Sequence, residues 1–434
     1  MKKLISILIL ILIMSSVRAQ DTISISWIEI SEKSLDENLQ LQLANKETEI
    51  AQAELLAARA MYLPNISASY SFMHTNNPLN AFGFKLNQSR IVMEDFNPDL
   101  LNQPDGISDF MLKLEIQQPI FNMDAAYQKK AGIVKTEALK IKSERTQEYL
   151  EFELKKAYMM LQLAYKMLET LEKAKQTTLA NKNVVESYYS NGLVQKSDVL
   201  YMDVRYNEIE SQIQFAKSNI NNASEYLFLL LNEDANNKIF KPIDELSIEN
   251  LVAFDEPNLN PNRKDLKAYD KSIEAYDWLI KSSKSKFLPR LNAFGSYELH
   301  DNKINEFDGD GYLVGLQLSW NIFDGLRSKS QRATYQAESN KMKVELAQYT
   351  QQSELELKNA YRQVLDAFKK VELLELAWNH SKEAYRIQKN RYDQGLEKSS
   401  DLLIAETLMS QKELEYHQAI FEYNTALQYY QFLN

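Results

Sequence analysis

A twelve-residue phrase occurs twice in this chain and constrains its fold more than any other feature. Tyr189–Leu200 reads YSNGLVQKSDVL, and Tyr392–Leu403 reads YDQGLEKSSDLL. Tyr, Gly, Leu, Ser, Asp and the final Leu recur at the same offsets, 203 residues apart, with Gly192 and Gly395 at the centre of each copy. Each copy interrupts a very long helical pattern. The chain therefore reads as two copies of one long helical hairpin, and duplication on this scale points to assembly geometry rather than to a catalytic pocket.

The N-terminus reads MKKLISILILILIMSSVRAQ, with basic Lys2 and Lys3, an apolar run from Leu4 to Met14, and Val17-Arg18-Ala19 ahead of a cleavage point. Residues 1–19 read as a secretory signal peptide, too short in its apolar part to span a bilayer. The chain has no Cys, so neither a disulfide nor a lipid-bearing cysteine is available. Its net charge of −10 becomes −13 once Lys2, Lys3 and Arg18 are removed, which disfavours nucleic acid as a partner. Only 10 Gly and 9 Pro in 434 residues indicate long uninterrupted helices. No later segment is apolar enough for a transmembrane helix. The sequence holds no HExxH, phosphate loop or nucleophile elbow, so neither an enzyme nor a cofactor is expected.

Along the chain, Ser26-Trp27-Ile28-Glu29 has capping-box spacing and opens a helical stretch to about Tyr62, with a break near Asp36–Asn38 and a stop at Pro64. The period then changes to 2. Ile66, Ala68, Tyr70 and Phe72 alternate with Ser67, Ser69 and Ser71; later, Phe110, Leu112, Leu114 and Ile116 alternate with Met111, Lys113, Glu115 and Gln117. Between them, residues 75–109 read as a polar loop anchored by Phe82 and Phe84. A helix from about Asp124 to Tyr189 spans roughly 100 Å at 1.5 Å per residue. After the first phrase a second helix runs to Leu231.

The second half replays this order, with Pro289 as the stop, a turn at Asp308-Gly309-Asp310-Gly311, and the second phrase at Gly395. The expected organisation is a first repeat over 20–231 with a strand pair at 63–74 and 110–121, a mixed connector over 232–264, and a second repeat over 265–434 with a strand pair at 288–300 and 311–323.

The fold class expected is mostly α with a transmembrane β-barrel. Each strand has one apolar and one polar face, as lipid-facing and lumen-facing positions alternate in such barrels. Four strands are too few to close, and an open sheet edge in lipid leaves backbone groups unpaired at several kcal/mol each. Cyclic association of two, three or four copies solves both problems. The long helices, with apolar residues such as Leu154, Tyr158, Leu161, Tyr165 and Leu168, are suited to lateral coiled-coil packing.

With its signal peptide, its two Pro-preceded strand pairs, Gln118-Pro119-Ile120-Phe121 with the counterpart Asn321-Ile322-Phe323-Asp324-Gly325, and its two Gly-Leu turns, the chain resembles the TolC-type outer-membrane efflux family over nearly its whole mature length. That resemblance implies a homotrimer whose twelve-stranded barrel lies in outer-membrane lipid and continues as a periplasmic α-helical barrel. It also implies a passive exit duct that works with a periplasmic adaptor (membrane fusion) protein and an inner-membrane transporter. The Gly-Leu tips, Gly192, Leu193, Val194, Gly395 and Leu396, correspond to the adaptor-docking tip, although Asn191 and Gln394 stand where the family carries Val. Asp198 and Tyr392 fall at positions of the family's closing latch, Glu397 stands where the latch Arg is expected with Lys398 beside it, and Asp401 matches one acid of the lumen constriction while Ile404 replaces the other. A Lys398–Asp198 pairing is the expected substitute latch.

Generic turn chemistry explains part of the phrase without any function. Gly enters the left-handed conformation at a helix end, and Ser197/Asp198 and Ser400/Asp401 suit helix caps. His74 and His300 sit near equivalent strand ends, but two His without a third ligand do not make a metal site, and none is expected. The rival functional reading is a periplasmic coiled-coil adaptor or scaffold. Such proteins usually carry a single hairpin flanked by Gly-rich β-domains, which this chain lacks.

Overall fold

The computed structural model describes residues 21–33, 35–249 and 257–434, so the signal peptide expected over 1–19 lies outside the described residues. The chain is mostly helical. Its elements are β1 (Asp21–Ile25), α1 (Trp27–Glu32), α2 (Leu39–Ala60), β2 (Asn65–Thr75), α3 (Pro78–Asn87), α4 (Pro98–Asn102), β3 (Ile107–Phe121), α5 (Met123–Ser190), α6 (Lys196–Leu231), β4 (Lys238–Pro242), α7 (Lys264–Ser285), β5 (Arg290–Asp301), β6 (Gly309–Ser319), α8 (Arg327–Asp393) and α9 (Ser399–Leu433). They form two compact units. One holds residues up to Lys46, Ile141–Leu266 and Ala347–Asn434; the other holds Glu47–Lys140 and Lys267–Leu346.

The second of these units is built on a four-stranded antiparallel sheet of order β2-β3-β5-β6. Asn65 pairs with Gln117, Lys113 with Glu298, and Glu298 with Gly311, so one register runs across all four strands. Pro119, which has no N–H to give the ladder, coincides with a register shift between Pro119 and Phe121. Alternation sorts the faces. Ile66, Tyr70, Phe72, Leu114, Ile116, Tyr297, Val314, Leu316 and Leu318 share one face and are exposed. Ser67, Ser69, Lys113, Glu115, Ser296 and Glu298 share the other, where Lys113 Nζ lies 3.1 Å from Glu298. A soluble monomer rarely leaves an apolar face of this extent uncovered. The sheet is open, with β2 and β6 as its edges.

Two local expectations are corrected. The segment between β2 and β3 is not a plain loop but contains α3 and α4. Both begin with an Asn-Pro pair: Asn77 Oδ1 accepts from Asn80 N–H and Asn97 Oδ1 from Asp99 N–H, with Pro78 and Pro98 at the first helical position. Phe82 packs edge-on against Phe96 at 5.8 Å, whereas Phe84 has its place in the same helix α3. The second correction concerns the turn expected at Asp308–Gly311. Gly309 and Gly311 belong to β6, and residues 302–308 make the reversal, where the Asp301 carboxylate accepts from Lys303 N–H at 2.9 Å and Asp308 N–H at 3.1 Å. Gly309 serves a close approach instead, since a Cβ there would lie 2.0 Å from the Asn87 carbonyl oxygen.

The first unit contains the hairpins and the connector. β1 pairs in parallel with β4, a strand that the mixed composition of 232–264 did not reveal. The capping box at Ser26 and Glu29 forms as its spacing predicts, with Glu29 N–H donating to Ser26 Oγ and Ser26 N–H to Glu29 Oε2. Each hairpin has its own core. Leu154, Tyr158, Leu161, Leu227 and Phe228 join α5 to α6 beneath β1 and β4, and Leu357, Val364, Val371, Tyr423 and Leu427 join α8 to α9. Tyr158 hydroxyl donates to Asp244, and burial pushes its pKa upward.

Candidate gate and docking tip

Both hairpins turn by the same backbone device. Gly192 has φ +74° and Gly395 φ +72°. Gly192 N–H bonds Tyr189 O and Leu193 N–H bonds Tyr188 O; Gly395 N–H bonds Tyr392 O and Leu396 N–H bonds Arg391 O. These paired bonds are the Schellman arrangement, which satisfies the last helical carbonyls. Leu193 and Leu396 are then left 70% and 63% exposed, as apolar residues at two otherwise polar helix ends. Val194 is half-buried and packs against a small core of Val185, Met202, Tyr392 and Leu402, which draws from all four hairpin helices or their ends.

The equivalent acids of the two copies have different surroundings. Asp198 accepts from Gln195 N–H at 2.9 Å, closing the start of α6, and from Ser399 Oγ at 2.6 Å, which links the first hairpin to the second. Its partner across the hairpins is thus Ser399 and not the neighbouring Lys398, which is exposed at the cap position of α9. Among the described residues, the half-buried Asp401 carboxylate receives only the adjacent Ser400 hydroxyl, at 3.4 Å. Glu397 is bound by Arg391 at 2.7 Å, a bridge across the second turn that stands where the first hairpin has Val194.

Tyr392 is buried, 5.7 Å from the Tyr188 ring, and its hydroxyl has no hydrogen-bond partner among the described residues. Burial, then the nearby Tyr188, Asp198 and Asp393, push its pKa up to about 12. One step further from the turns, Arg205 Nε on α6 lies 3.2 Å from Glu406 Oε2 on α9, and both are buried. Burial raises the Glu406 pKa while Arg205 opposes it. Asn181 also donates to Tyr385 hydroxyl at 3.3 Å, a further tie between hairpins.

Sequence reasoning singled out neither Arg205 nor Glu406, although a signal was present. Met202, Arg205 and Ile209 follow the helical period, as do Leu402, Glu406 and Ser410, so a charge occupies an apolar-stripe position on each helix. His74 and His300, the other sequence candidates, have separate partners: His74 Nδ1 is 3.0 Å from Ser108 Oγ, and His300 Nδ1 is 3.0 Å from Asp109 Oδ2.

The chain thus joins, in sequence, an open antiparallel sheet with an exposed apolar face to two hairpins of one design whose turns expose Leu193 and Leu396. The family model for outer membrane efflux proteins matches residues 30–233 and 258–429, and the chain belongs to that family. The family is one of efflux proteins at the outer membrane and not of enzymes. No curated protein matches the sequence significantly. Among solved structures, the chain resembles the outer membrane protein VceC of Vibrio cholerae with a TM-score of 0.74 at 18% identity, over 92% of this chain and 94% of that one. It also resembles the CmeC outer membrane channel of Campylobacter jejuni, with a TM-score of 0.75 at 17% identity over 96% and 89% of the two chains. The open-state MtrE outer membrane channel of Neisseria gonorrhoeae is similar as well, with a TM-score of 0.74 at 17% identity over 93% and 88%. At these identities the likeness is one of fold.

Proposed function

We propose that this protein is the outer-membrane exit duct of a tripartite efflux or type I secretion system. Three copies close a twelve-stranded barrel in the outer membrane, and their hairpins pack side by side in the periplasm around a solvated lumen. Gly192, Leu193, Val194, Gly395 and Leu396 form the surface that meets a periplasmic adaptor, itself coupled to an inner-membrane transporter. Asp198, Tyr392, Glu397, Lys398 and Asp401 line or brace the gate near it, with the Asp198–Ser399 bond as part of the brace.

The observation that carries this reading is the sheet. Its four strands alternate in direction, so β2 and β6 run antiparallel to each other, and both are 11 residues long. Copies related by rotation about an axis along the strands can therefore pair β6 of one with β2 of the next in an unbroken antiparallel ladder. Closure removes the unpaired edge groups that lipid does not tolerate. The apolar face then meets lipid, and the Ser-, Lys- and Glu-bearing face lines the lumen.

The absence of native cysteines makes the test clean. Ser67, Ser69 and Ser71 on β2 are changed to Cys one at a time, each combined with Leu313→Cys or Gln317→Cys on β6. Oxidation of outer-membrane fractions is expected to give covalent trimers in at least one register. Monomers in every register, or folded protein recovered only from the soluble periplasm, would reject the duct in favour of a scaffold.

A further inference from the structure

Residues 76–106 join β2 to β3, whereas residues 302–308 suffice to join β5 to β6. A strand reversal needs no such length, and long ordered connections tend to be functional. The register fixes where this connection lies. By alternation Asp109 shares a face of β3 with Lys113 and Glu115, and the paired His300 and Gly309 share that face on β5 and β6. It is the polar face of the sheet, and the connection is seated on it. A Cβ on Gly309 would lie 2.0 Å from Asn87 O, at the end of α3. Gln88, only 1% exposed, donates Nε2–H to Asp109 Oδ1 and to Ser108 O, both at 2.9 Å, and its Oε1 accepts from Arg90 at 3.2 Å. The buried Asp109 also meets His300 Nδ1 at 3.0 Å. Ile107, on the same face, closes a small recess with Ala81, Phe82 and Leu101. Each seat thus joins the connection of the first repeat to strands of the second.

The connection also carries apolar side chains that nothing covers within one copy. Leu79 and Met93 are 81% and 84% exposed, and Leu86, Val92 and Phe96 are exposed as well. Large apolar side chains gathered on a water-facing segment mark an interaction surface. Dimensions identify what covers it. Twelve strands about 4.8 Å apart and tilted by about 40° close a barrel of roughly 24 Å backbone diameter, or about 12 Å radius. A helix with its side chains is about 10–12 Å thick. A helix seated on the inner wall of such a barrel therefore reaches the axis, where it meets the same segment of the neighbouring copies.

We propose that residues 76–106 form an outer constriction of the duct, in which three copies of this segment meet inside the barrel mouth through Leu79, Leu86, Val92, Met93 and Phe96. The proposal rests on the duct reading, which turns the polar face of the sheet toward the lumen. The partner of the apolar patch is the same patch on the other two copies, so the constriction is incomplete in one chain. The Gln88 anchor and the Gly309 seat hold each segment to its own wall. The result is a size limit at the cell surface that is separate from the hairpin tips.

The test uses the full-length protein in the outer membrane of intact cells, with Ser69→Cys as a reporter on the polar face of β2 and no native thiol to interfere. A small methanethiosulfonate and a polyethylene-glycol maleimide are added from outside. The small reagent is expected to label the reporter and the polymer to be excluded. Gly309→Ala, whose Cβ cannot coexist with Asn87 O, is expected to admit the polymer, whereas Gly311→Ala, with open space at its Cβ, is expected to exclude it still. A Gly-Ser linker in place of residues 78–104 is expected to admit it fully. Polymer labelling of the reporter with the segment intact overturns the proposal. So does exclusion that survives the linker or that Gly309→Ala leaves unchanged. Independently of those variants, Met93→Cys alone is expected to join copies through a short bis-maleimide, and its failure to do so in trimers overturns the meeting of the segments. If the small reagent labels the reporter neither with the segment nor with the linker, the duct reading and the constriction fall together; labelling by both reagents with the segment intact rejects the constriction alone.

Discussion

His417 shows how a single buried group sets a pH limit. It is 6% exposed on α9, within 6.0 Å of the Trp378 ring and 5.5 Å of the Tyr416 ring, and neither ring nitrogen has a partner among the described residues. Burial first, then Lys166 and Lys173, lower its pKa from 6.5 to about 4, while Glu169 pulls the other way. The unfolded chain therefore binds a proton between these values that the folded chain refuses, so stability falls as pH drops from 6.5 toward 4. His417→Leu is expected to flatten that limb and to be neutral or stabilising at pH 7, since it removes two unpaired polar atoms. Denaturation midpoints of both proteins between pH 4 and pH 7 check this. A limb of unchanged slope would show that another group carries it.

At the scale of elements, specific polar contacts tie the two hairpins near their turns, apart from the aromatic packing of Tyr149 and Phe152 on Tyr429 and Phe432. Asp198–Ser399 lies at the turns, Arg205–Glu406 deeper, and Asn181–Tyr385 beside them. The buried pair is the strongest candidate for cooperative behaviour, because breaking one partner leaves the other charge in an apolar setting. Glu406→Leu alone is expected to destabilise the tip by about 3–5 kcal/mol, whereas Arg205→Met/Glu406→Leu should come close to wild type. Arg205 also lies 3.7 Å from the exposed Glu208, which softens the single-mutant penalty. Hydrogen exchange at the Gly192 and Gly395 turns, compared across the double-mutant cycle, measures the coupling. Additive effects would mean that the pair does not hold the hairpins together.

For the whole molecule, adjacent residues on β6 distinguish a membrane sheet from a soluble one. Val314 pairs with Gly295 on the apolar face, and Leu313 pairs with Ser296 on the polar face, yet both are exposed and aliphatic. Val314→Arg is expected to impair insertion into lipid vesicles by about 2–4 kcal/mol, the depth-dependent cost of a lipid-facing arginine. Leu313→Arg should insert nearly as wild type, with its guanidinium in the lumen. Equal folding yields for the two variants in vesicles would argue against the membrane sheet.

Much of the fold was legible in sequence because periodicity is local. Ser67, Ser69 and Ser71 between Ile66, Tyr70 and Phe72 declare a two-faced strand, and Gly192 and Gly395 declare turns, since only glycine enters the left-handed region freely. The duplicated phrase by itself determined the hairpins and their ends. It did not determine the pairing between them. Asp198 and Asp401 are the same residue at the same offset, yet one caps α6 and holds Ser399 while the other meets only Ser400 among the described residues. The β1–β4 pairing, the use of Gly309 for close approach, and the burial of Arg205 against Glu406 likewise involve partners from distant parts of the chain. The choice of partner in such contacts leaves no period in the sequence, because it depends on which helix face the tertiary packing brings opposite which. Tertiary structure alone decided them.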